Sequence, residues 1–282
     1  MPIRKRSGIS ISSGASLSDM ILSKKNELLN IISQGSGSSL ESALQDLGYY
    51  VSFLDILYDS TAMNAIASSS TAMNAIASSS TAINAIINSH TALDAVVSSS
   101  TAMNAIINSQ TALNAIKDNS TAWSIFTNSN VPTVKEVPPM TSNTAPEGVA
   151  SASSINSSEY DVFRVFDKDT STDWWAAGVA PQWVQYKFVS PVFVHTVTIL
   201  GYSSAGNGYN PVSVTIQASN DGSNFTDVAT FNQEFTYTST TTLYLNKAGY
   251  YQYWRVRINS TVNSSYEPDM REVNFKGFIQ PT

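Results

Sequence analysis

Large apolar residues recur at a spacing of three and then seven positions from about residue 53 to residue 126. The phrase Ser-Thr-Ala-Met-Asn-Ala-Ile-Ala-Ser-Ser occupies residues 60–69 and is repeated unchanged over residues 70–79. Later copies vary at their polar positions but keep the apolar pair. The pairs are Phe53/Ile56, Met63/Ile66, Met73/Ile76, Ile83/Ile86, Leu93/Val96, Met103/Ile106, Leu113/Ile116 and Trp123/Phe126. A fixed period with bulky aromatic residues at both ends is typical of a one-dimensional repeat array with caps.

The ten-residue period does not fit one continuous α-helix. Ten residues turn a helix by about 1000°, which leaves the apolar face about 80° short of three full turns. Each copy also ends in a cluster of Ser, Thr and Asn residues, whose side chains compete for backbone hydrogen bonds and favour caps and turns. We therefore predict one short helix per copy, with a cap before it and a break after it.

A helix this short is not stable alone, so its apolar pair must be buried against neighbouring copies or against identical chains. The alternative is a disordered Ser/Asn/Ala-rich linker, in which Met and Ile would have no reason to stay in register. The segment resembles the ten-residue repeats of bacteriophage tail-fibre and tail-associated proteins. That resemblance implies a fibrous shaft over residues 53–127 in an elongated oligomer, and we expect a homotrimer.

Two segments flank this shaft. Residues 1–52 carry two shorter apolar stripes separated by a Gly/Ser break at residues 35–39. They predict two helices, the second over residues 38–51, that form an attachment segment or a multimer interface. Residues 128–147 contain four prolines and predict a semi-rigid, extended spacer.

From residue 148 to residue 282 the chain becomes rich in Val, Thr, Tyr, Phe and Trp, in short runs bounded by Gly, Asn, Asp and Pro. The strand candidates are residues 184–188, 192–200, 212–218, 243–245 and 253–258. Such a series of short strands predicts an all-β sandwich. Trp183, Phe188 and Trp254 lie on or beside these strands and are predicted core residues.

Composition excludes several classes of function. The net charge of −6 argues against nucleic-acid binding, and no apolar run reaches the length of a membrane span. There is no cysteine, the two histidines His90 and His195 lack a catalytic context, and no phosphate-binding glycine loop is present, so we do not expect an enzyme. The first residues lack the apolar core of a secretion signal, which fits a virion component released by lysis.

Several motifs of the C-terminal part follow a known order and spacing. They are Ala-Ser-Ala-Ser at 150–153, Val-Phe-Asp-Lys-Asp-Thr-Ser-Thr-Asp-Trp at 165–174, Pro-Gln-Trp-Val-Gln-Tyr-Lys-Phe at 181–188, Ser-Asn-Asp-Gly-Ser-Asn-Phe at 219–225, and Arg-Glu-Val-Asn-Phe-Lys-Gly-Phe at 271–278. Over about residues 145–280 the chain resembles the discoidin, or coagulation-factor C-terminal type, domain that many galactose-binding carbohydrate modules share. The resemblance implies a jelly-roll sandwich.

The motif at 165–174 also suggests a metal site. Asp167, Asp169 and Thr172 place hard oxygen donors in one loop, as Ca²⁺ prefers. In the resembled family such a loop holds a structural Ca²⁺, with a glutamate near the C-terminus completing the site, and Glu272 occupies the matching place. Lys168 stands where that family often has glycine. The alternative is an Asp-rich turn that holds only water.

Sugar-binding members of the family hold their ligands in loops at one end of the sandwich. The candidates here are Trp175, Tyr202, Asn207, Tyr209, Asn210 and Tyr266. An exposed ring can face a sugar while amides bond its hydroxyl groups, although the same residues could serve ordinary loop packing.

The sequence thus predicts a virion fibre protein, either a phage tail fibre or a receptor-binding protein, that binds host-surface glycans through its sandwich. Residues 1–52 would bind other tail or baseplate proteins, and no nucleic acid or membrane insertion is expected. The protein would reside in the virion and be extracellular after release. The alternatives are a structural baseplate or capsid decoration protein whose sandwich binds protein, and a bacterial surface adhesin.

Overall fold

The computed structural model describes residues 57–131 and 133–280, together with the backbone of residues 4–5 and 49–50. The chain divides into two compact units, Met1–Pro132 and Thr133–Thr282. Across the described residues, no helix is both long and apolar enough to span a membrane.

Near the N-terminus, strands β1 (Arg4–Lys5) and β2 (Tyr49–Tyr50) form a short antiparallel pair. The helix predicted over residues 38–51 is therefore wrong at its C-terminal end. Gly48 weakens a helix there, and the run of aromatic and β-branched residues that follows it favours extended backbone. The rest of the predicted attachment segment, with the Phe53/Ile56 pair, lies outside the described residues.

Each described repeat copy forms one helix of eight residues, which confirms the prediction of one short helix per copy. The helices are α1 (Ser60–Ala67), α2 (Ser70–Ala77), α3 (Ser80–Ile87), α4 (His90–Val97), α5 (Ser100–Ile107), α6 (Gln110–Lys117) and α7 (Ser120–Thr127). The residue before each helix has extended backbone, and its side chain accepts a hydrogen bond from a backbone N–H of the first turn.

Some capping serines have a second role. The Ser99 hydroxyl accepts from the Ala102 N–H at 3.2 Å and donates to the Ala67 carbonyl at 2.6 Å, 32 residues earlier in the chain. Ser89 and Ser109 make the same pair of bonds. One serine thus both begins a helix and ties it to an earlier copy of the repeat.

The helices coil into a solenoid with three helices to each turn, because α1 packs on α4, α2 on α5, α3 on α6 and α4 on α7. Every described apolar pair is buried inside this coil, and Trp123, the most exposed member, is only 6% exposed. We predicted burial against neighbouring copies or identical chains, and the structure achieves it within one chain. The apolar stripe therefore no longer argues for a trimer.

Replacing Ser99 with alanine should lower the free energy of unfolding by about 1–3 kcal/mol, because the change removes a helix cap and leaves the Ala67 carbonyl without its donor. Ser98→Ala and Ser100→Ala alter exposed neighbours in the same serine run and should cost less than about 0.5 kcal/mol. Urea unfolding followed by circular dichroism compares the three variants. Equal midpoints would contradict a tie between turns of the solenoid.

The C-terminal unit is an antiparallel β-sandwich, as predicted. Its strands are β3 (Val134–Glu136), β4 (Val149–Ala152), β5 (Trp174–Trp175), β6 (Gln182–Gly201), β7 (Pro211–Ser219), β8 (Thr226–Asn232), β9 (Thr241–Tyr244), β10 (Tyr251–Thr261) and β11 (Asp269–Ile279). The long strand β6 joins the two layers: its first half pairs with β4 and β10, and its second half pairs with β9 and β11. Strand β10 continues to β7 and β8, whereas β11 also pairs with β3 and β5.

Residues 133–147 belong to the sandwich, whereas the sequence predicted a spacer over residues 128–147. Strand β3 pairs with the end of β11, and Val137 and Met140 are buried in the core. The proline-rich run is compatible with this position because β3 is an edge strand, so the prolines that follow it interrupt no internal ladder.

Phe188 and Trp254 are buried in the core as predicted, but the prediction for Trp183 is wrong. Val184 and Tyr186 on the same strand point inward, and side chains alternate along a strand, so Trp183 points outward. It lies against Arg255 on the outer face of the sheet.

Candidate functional site

Four of the predicted ligand-binding residues meet where β6 and β10 end and β7 and β11 begin. Tyr209 lies at their centre, with its ring 5.9 Å from that of Trp175, 6.1 Å from that of Tyr202 and 4.7 Å from that of Tyr266. Tyr266 is 40% exposed and the other three are half-buried, so the group offers ring surface to solvent at the end of the sandwich.

A fifth ring completes this group and was missed from the sequence. Tyr160 lies on a short 3-10 helix, Ser158–Tyr160, and its ring stands edge-on to Trp175 at 5.2 Å. Its one signal in the sequence is an aromatic residue within a Ser/Asn-rich loop. We call Tyr160, Trp175, Tyr202, Tyr209 and Tyr266 the aromatic cluster.

Glycine permits the closest contact in the cluster. A Cβ atom on Gly208 would lie 2.3 Å from the Tyr266 ring, so any other residue at this position would push that ring away. The absence of a side chain therefore lets Tyr266 settle beside Tyr209, with 36° between the two ring planes.

The two predicted asparagines shape the loop that carries Tyr209. Asn210 is fully buried: its amide nitrogen donates to the carbonyls of Ser203 and Ser204 and to Glu234, and its oxygen accepts from the Ser203 N–H. The Asn207 oxygen accepts from the Tyr209 N–H at 3.1 Å. The polar atoms of Asn210 are thus used in holding the loop rather than offered to a ligand.

Acidic side chains lie beside the aromatic rings. Asp269 pairs with Trp175 across β11 and β5, is only 4% exposed, and has one carboxyl oxygen, Oδ1, with no hydrogen-bond partner in the described part of the chain. Burial raises the pKa of Asp269 to about 9; the negative charge of Asp173 adds to the rise and Arg271 opposes it. Burial also raises the pKa of Asp173. These carboxyl groups were not predicted as site residues, because their burial depends on distant strands.

Arg271 connects the aromatic cluster to the predicted metal loop. Its Nε donates to the Tyr202 carbonyl at 2.8 Å, and its Nη1 donates to the Thr170 carbonyl at 2.6 Å. The guanidinium group also lies 5.5 Å from the centre of the Tyr202 ring. A shift of the loop around Thr170 would therefore move Arg271 and, with it, the main chain of Tyr202 in the aromatic cluster.

Three of the four predicted metal ligands come together. The Thr172 hydroxyl donates to Asp167 Oδ2 at 2.8 Å, and the Glu272 carboxyl group lies beside Asp167. Burial raises the pKa of Glu272 to about 9, and the negative charge of Asp167 adds to that rise. Both Glu272 oxygens are buried without a hydrogen-bond donor among the described residues, so the neutral, protonated form of Glu272 is favoured in the absence of a cation.

Asp169 is oriented differently from the other three. Its carboxylate accepts from the Ser171 N–H and hydroxyl, and its main-chain carbonyl accepts from Thr172. Lys168, at the place where the resembled family often has glycine, takes the left-handed conformation with φ of 66°. That backbone conformation costs about 1–2 kcal/mol for a residue with a Cβ atom.

The donor set fits a hard cation with help from other oxygens. Among the described residues, no three His, Cys, Asp or Glu side chains converge as metal ligands. The Thr172 hydroxyl and main-chain carbonyls would have to complete the shell, as they do in many Ca²⁺ sites. The two unpartnered oxygens of Glu272 are the feature that a bound cation would satisfy.

The two histidines lie in different units. His90 is the first residue of α4 and is exposed, whereas His195 is buried in β6. Burial lowers the pKa of His195 to about 3, so its ring is neutral at physiological pH. Neither has the surroundings of a general base.

Comparison with solved structures finds similar carbohydrate-binding modules. CpGH89CBM32-5 from Clostridium perfringens, in complex with GalNAc-β-1,3-galactose, is 20% identical, with 45% of this chain and 94% of that chain covered and a TM-score of 0.40. The family 32 module of NanJ from the same organism, in complex with galactose, is 19% identical, with 50% and 99% covered and a TM-score of 0.41. Chitosan-binding module 1 of a Paenibacillus chitosanase/glucanase is 28% identical, with 47% and 97% covered and a TM-score of 0.39.

No curated protein is significantly similar to this chain. The sequence model of the F5/8 type C domain matches residues 149–272, which span β4 to the start of β11 and include all five members of the aromatic cluster. The match covers the region in which the sequence motifs predicted a discoidin-like domain, and it supports that prediction.

Proposed function

We propose that the C-terminal unit binds a glycan at the aromatic cluster, and that the protein is an attachment fibre that carries this unit on a virus particle. The observation that supports glycan binding is the group of partly exposed rings around the buried carboxyl group of Asp269. Stacking surface beside a few fixed polar atoms is the arrangement that sugar recognition requires.

The rings and the Asp269 residue have different roles in this site. The apolar face of a sugar packs on Tyr266, the most exposed ring, and on its neighbour Tyr209. Trp175, held between the ring edges of Tyr160 and Tyr209, forms a wall of the site. Asp269 pairs with Trp175 and its N–H donates to the Tyr209 carbonyl at 3.2 Å, so it holds the main chain of these two rings in place.

A glycan array with the full chain identifies the ligand, and Tyr266→Ala then tests the site. Losing a stacked ring should weaken binding by about 1–3 kcal/mol, or roughly 5- to 150-fold. Tyr244→Ala is the matched control, because Tyr244 is a similarly exposed tyrosine on β9, away from the cluster. Binding to no glycan, or an equal loss in both variants, would remove the proposal.

The second part of the proposal is that the protein attaches a virus particle to its host. It is supported by the resemblance of the repeats to those of tail fibres and by the regular solenoid that they form. On the tail-fibre resemblance alone, the protein would be a homotrimer located in the virion, bound to other tail or baseplate proteins through residues 1–52, and would recognise a host-surface glycan. Light scattering of the full chain and antibody labelling of particles test stoichiometry and location independently of sugar binding.

We further propose that Asp167, Thr172 and Glu272, with main-chain carbonyls of the same loop, hold a structural Ca²⁺ ion. When bound, the ion supplies positive charge next to the buried Glu272 carboxylate. Asp167 and Thr172 then hold the loop in place. Arg271 connects this loop to the Tyr202 main chain through its hydrogen bonds to the Thr170 and Tyr202 carbonyls.

Ca²⁺ should raise the melting temperature of the protein and a chelator should lower it. An ion that binds only the folded state contributes about 2.7 kcal/mol at a hundredfold excess over its dissociation constant. Glu272→Gln should abolish the Ca²⁺ effect, whereas Asp169→Asn should preserve it because that side chain is bonded to Ser171. If Ca²⁺ and chelator leave the melting curve of the unmodified protein unchanged, the loop is only a turn.

A further inference from the structure

The sheet formed by the first half of β6 with β10, β7 and β8 has an outward surface that the glycan site does not use. Its residues alternate along the strands with core residues such as Val184, Trp254 and Val256, so they all lie on one face. We call this the outer face; it carries Trp183, Gln185 and Lys187 on β6, Tyr253, Arg255 and Arg257 on β10, and Thr215 and Gln217 on β7.

Arg255 is held rigidly at the centre of the outer face. Its guanidinium carbon lies 4.0 Å from the centre of the Trp183 ring and 3.6 Å from that of Phe225. Its Nε and Nη2 donate to Gln185 Oε1 at 3.2 and 2.8 Å, and the Gln185 amide in turn donates to Ser151. A guanidinium group fixed in this way loses little conformational entropy when it binds an anion.

The cations of the outer face lack acidic partners. Within the described residues, Lys187, Arg255 and Arg257 form no ion pair; the ion pairs found there are Lys135–Glu147 and Lys276–Glu136. Arg257 Nη1 donates to Asn259, and Lys187 Nζ lies 5.3 Å from the centre of the Tyr253 ring. Asp227 is on the neighbouring strand β8, where its carboxylate accepts from Gln217.

The positive charge of the outer face contrasts with the net charge of the whole chain, which is −6. The strand register places Lys187 beside Tyr253, Gln185 beside Arg255 and Trp183 beside Arg257. The three cations therefore follow the strand direction over about 13 Å, since every second residue advances about 6.7 Å. A line of fixed positive charges matches a linear polyanion better than it matches a single small anion.

We propose that the outer face is a second carbohydrate-binding surface, which takes an acidic polysaccharide through pairing of its carboxylate or sulfate groups with Lys187, Arg255 and Arg257. Thr215, Asn259 and Gln217 flank these cations, and their side chains hydrogen-bond to Thr230, Ser213 and Asp227. The surface lies on strands and not on loops, so it operates independently of the aromatic cluster.

The test uses the full chain and four probes: alginate as a carboxylated chain, dextran sulfate as a sulfated chain, neutral dextran, and duplex DNA as a polyanion without free sugar hydroxyls along its backbone. We expect binding to alginate or dextran sulfate, weakened by salt, and the tighter of the two identifies the anionic group. The double change Lys187→Gln with Arg257→Gln should weaken that binding by about tenfold or more, because two charge-assisted contacts are lost. Arg255 is left in place because its removal would disturb the packing of Trp183 and Phe225.

Two controls make the result specific. Lys247→Gln with Lys276→Gln removes the same charge elsewhere and should leave affinity nearly unchanged, and Tyr266→Ala should affect the aromatic cluster alone. Equal binding by the two double variants, binding to dextran as strong as to the acidic chains, or equally tight binding to DNA would each overturn the proposal. Circular dichroism verifies that both double variants are folded.

Discussion

Replacing Trp254 with alanine is expected to lower the free energy of unfolding of the C-terminal unit by about 3–5 kcal/mol, enough to unfold many domains of this size. The side chain is fully buried among both layers of the sandwich. Its indole nitrogen donates to the carbonyls of Val192 and Tyr251, both at 3.1 Å. The change therefore creates a large cavity and removes the donor shared by two carbonyl groups.

Trp183→Ala is the matched control and should cost only about 0.5–2 kcal/mol, because it removes a half-exposed stacking contact with Arg255. The sequence alone predicted a different role for Trp183, that of a core residue. Urea unfolding of both variants, followed by circular dichroism, distinguishes the two roles. Comparable losses in the two variants would mean that the outer face is as important to folding as the core.

Asp269→Asn is expected to stabilise the protein at pH 8 by about 2–4 kcal/mol while leaving stability near pH 4 unchanged. Burial raises the folded-state pKa of Asp269 to about 9, so the folded protein keeps a proton that the unfolded chain loses above about pH 4. The free energy of unfolding therefore falls as pH rises between these two values, by at most about 1.4 kcal/mol per pH unit. An asparagine stays neutral and lacks this dependence.

The measurement is urea unfolding of both proteins at several pH values. Asp173 and Arg271 are the charged groups that act on Asp269, so neither is changed in this comparison. Asp227→Asn removes an exposed carboxylate on β8 and controls for the loss of a negative charge. If the difference between the unmodified protein and Asp269→Asn does not grow with pH, Asp269 is not an uncompensated buried acid. A buried acid that costs stability is expected at a binding site, where function and stability compete.

Much of the local structure could be predicted from the sequence. The helix in each repeat copy depends on neighbours only a few residues away, namely a capping Ser, Asp or Asn and an apolar pair three positions apart. The sandwich strands depend on alternation over a few residues. Motifs such as 165–174 and 219–225 lie within the residues that the F5/8 type C model matches.

The candidate site could be predicted only in part. An aromatic residue in a polar loop is visible in the sequence, and four such residues, Trp175, Tyr202, Tyr209 and Tyr266, do meet. Which of them touch, and that Tyr160 joins them, depends on how five separate segments converge. The buried state of Asp269 and the use of Asn210 as a loop clamp depend in the same way on distant partners.

The sequence by itself determined the period of the repeat, the helices it forms, the β-rich C-terminal half and the residues that could supply a site. Only the tertiary structure decided that each helix packs on the helix three copies away in the same chain. The same holds for the entry of residues 133–147 into the sandwich and for the outward orientation of Trp183. Helix and strand formation depend on steric and hydrogen-bonding preferences of residues that are close together in the sequence. Burial, by contrast, depends on which distant segments of the chain pack together and exclude water, and no local sequence pattern specifies which segments these are.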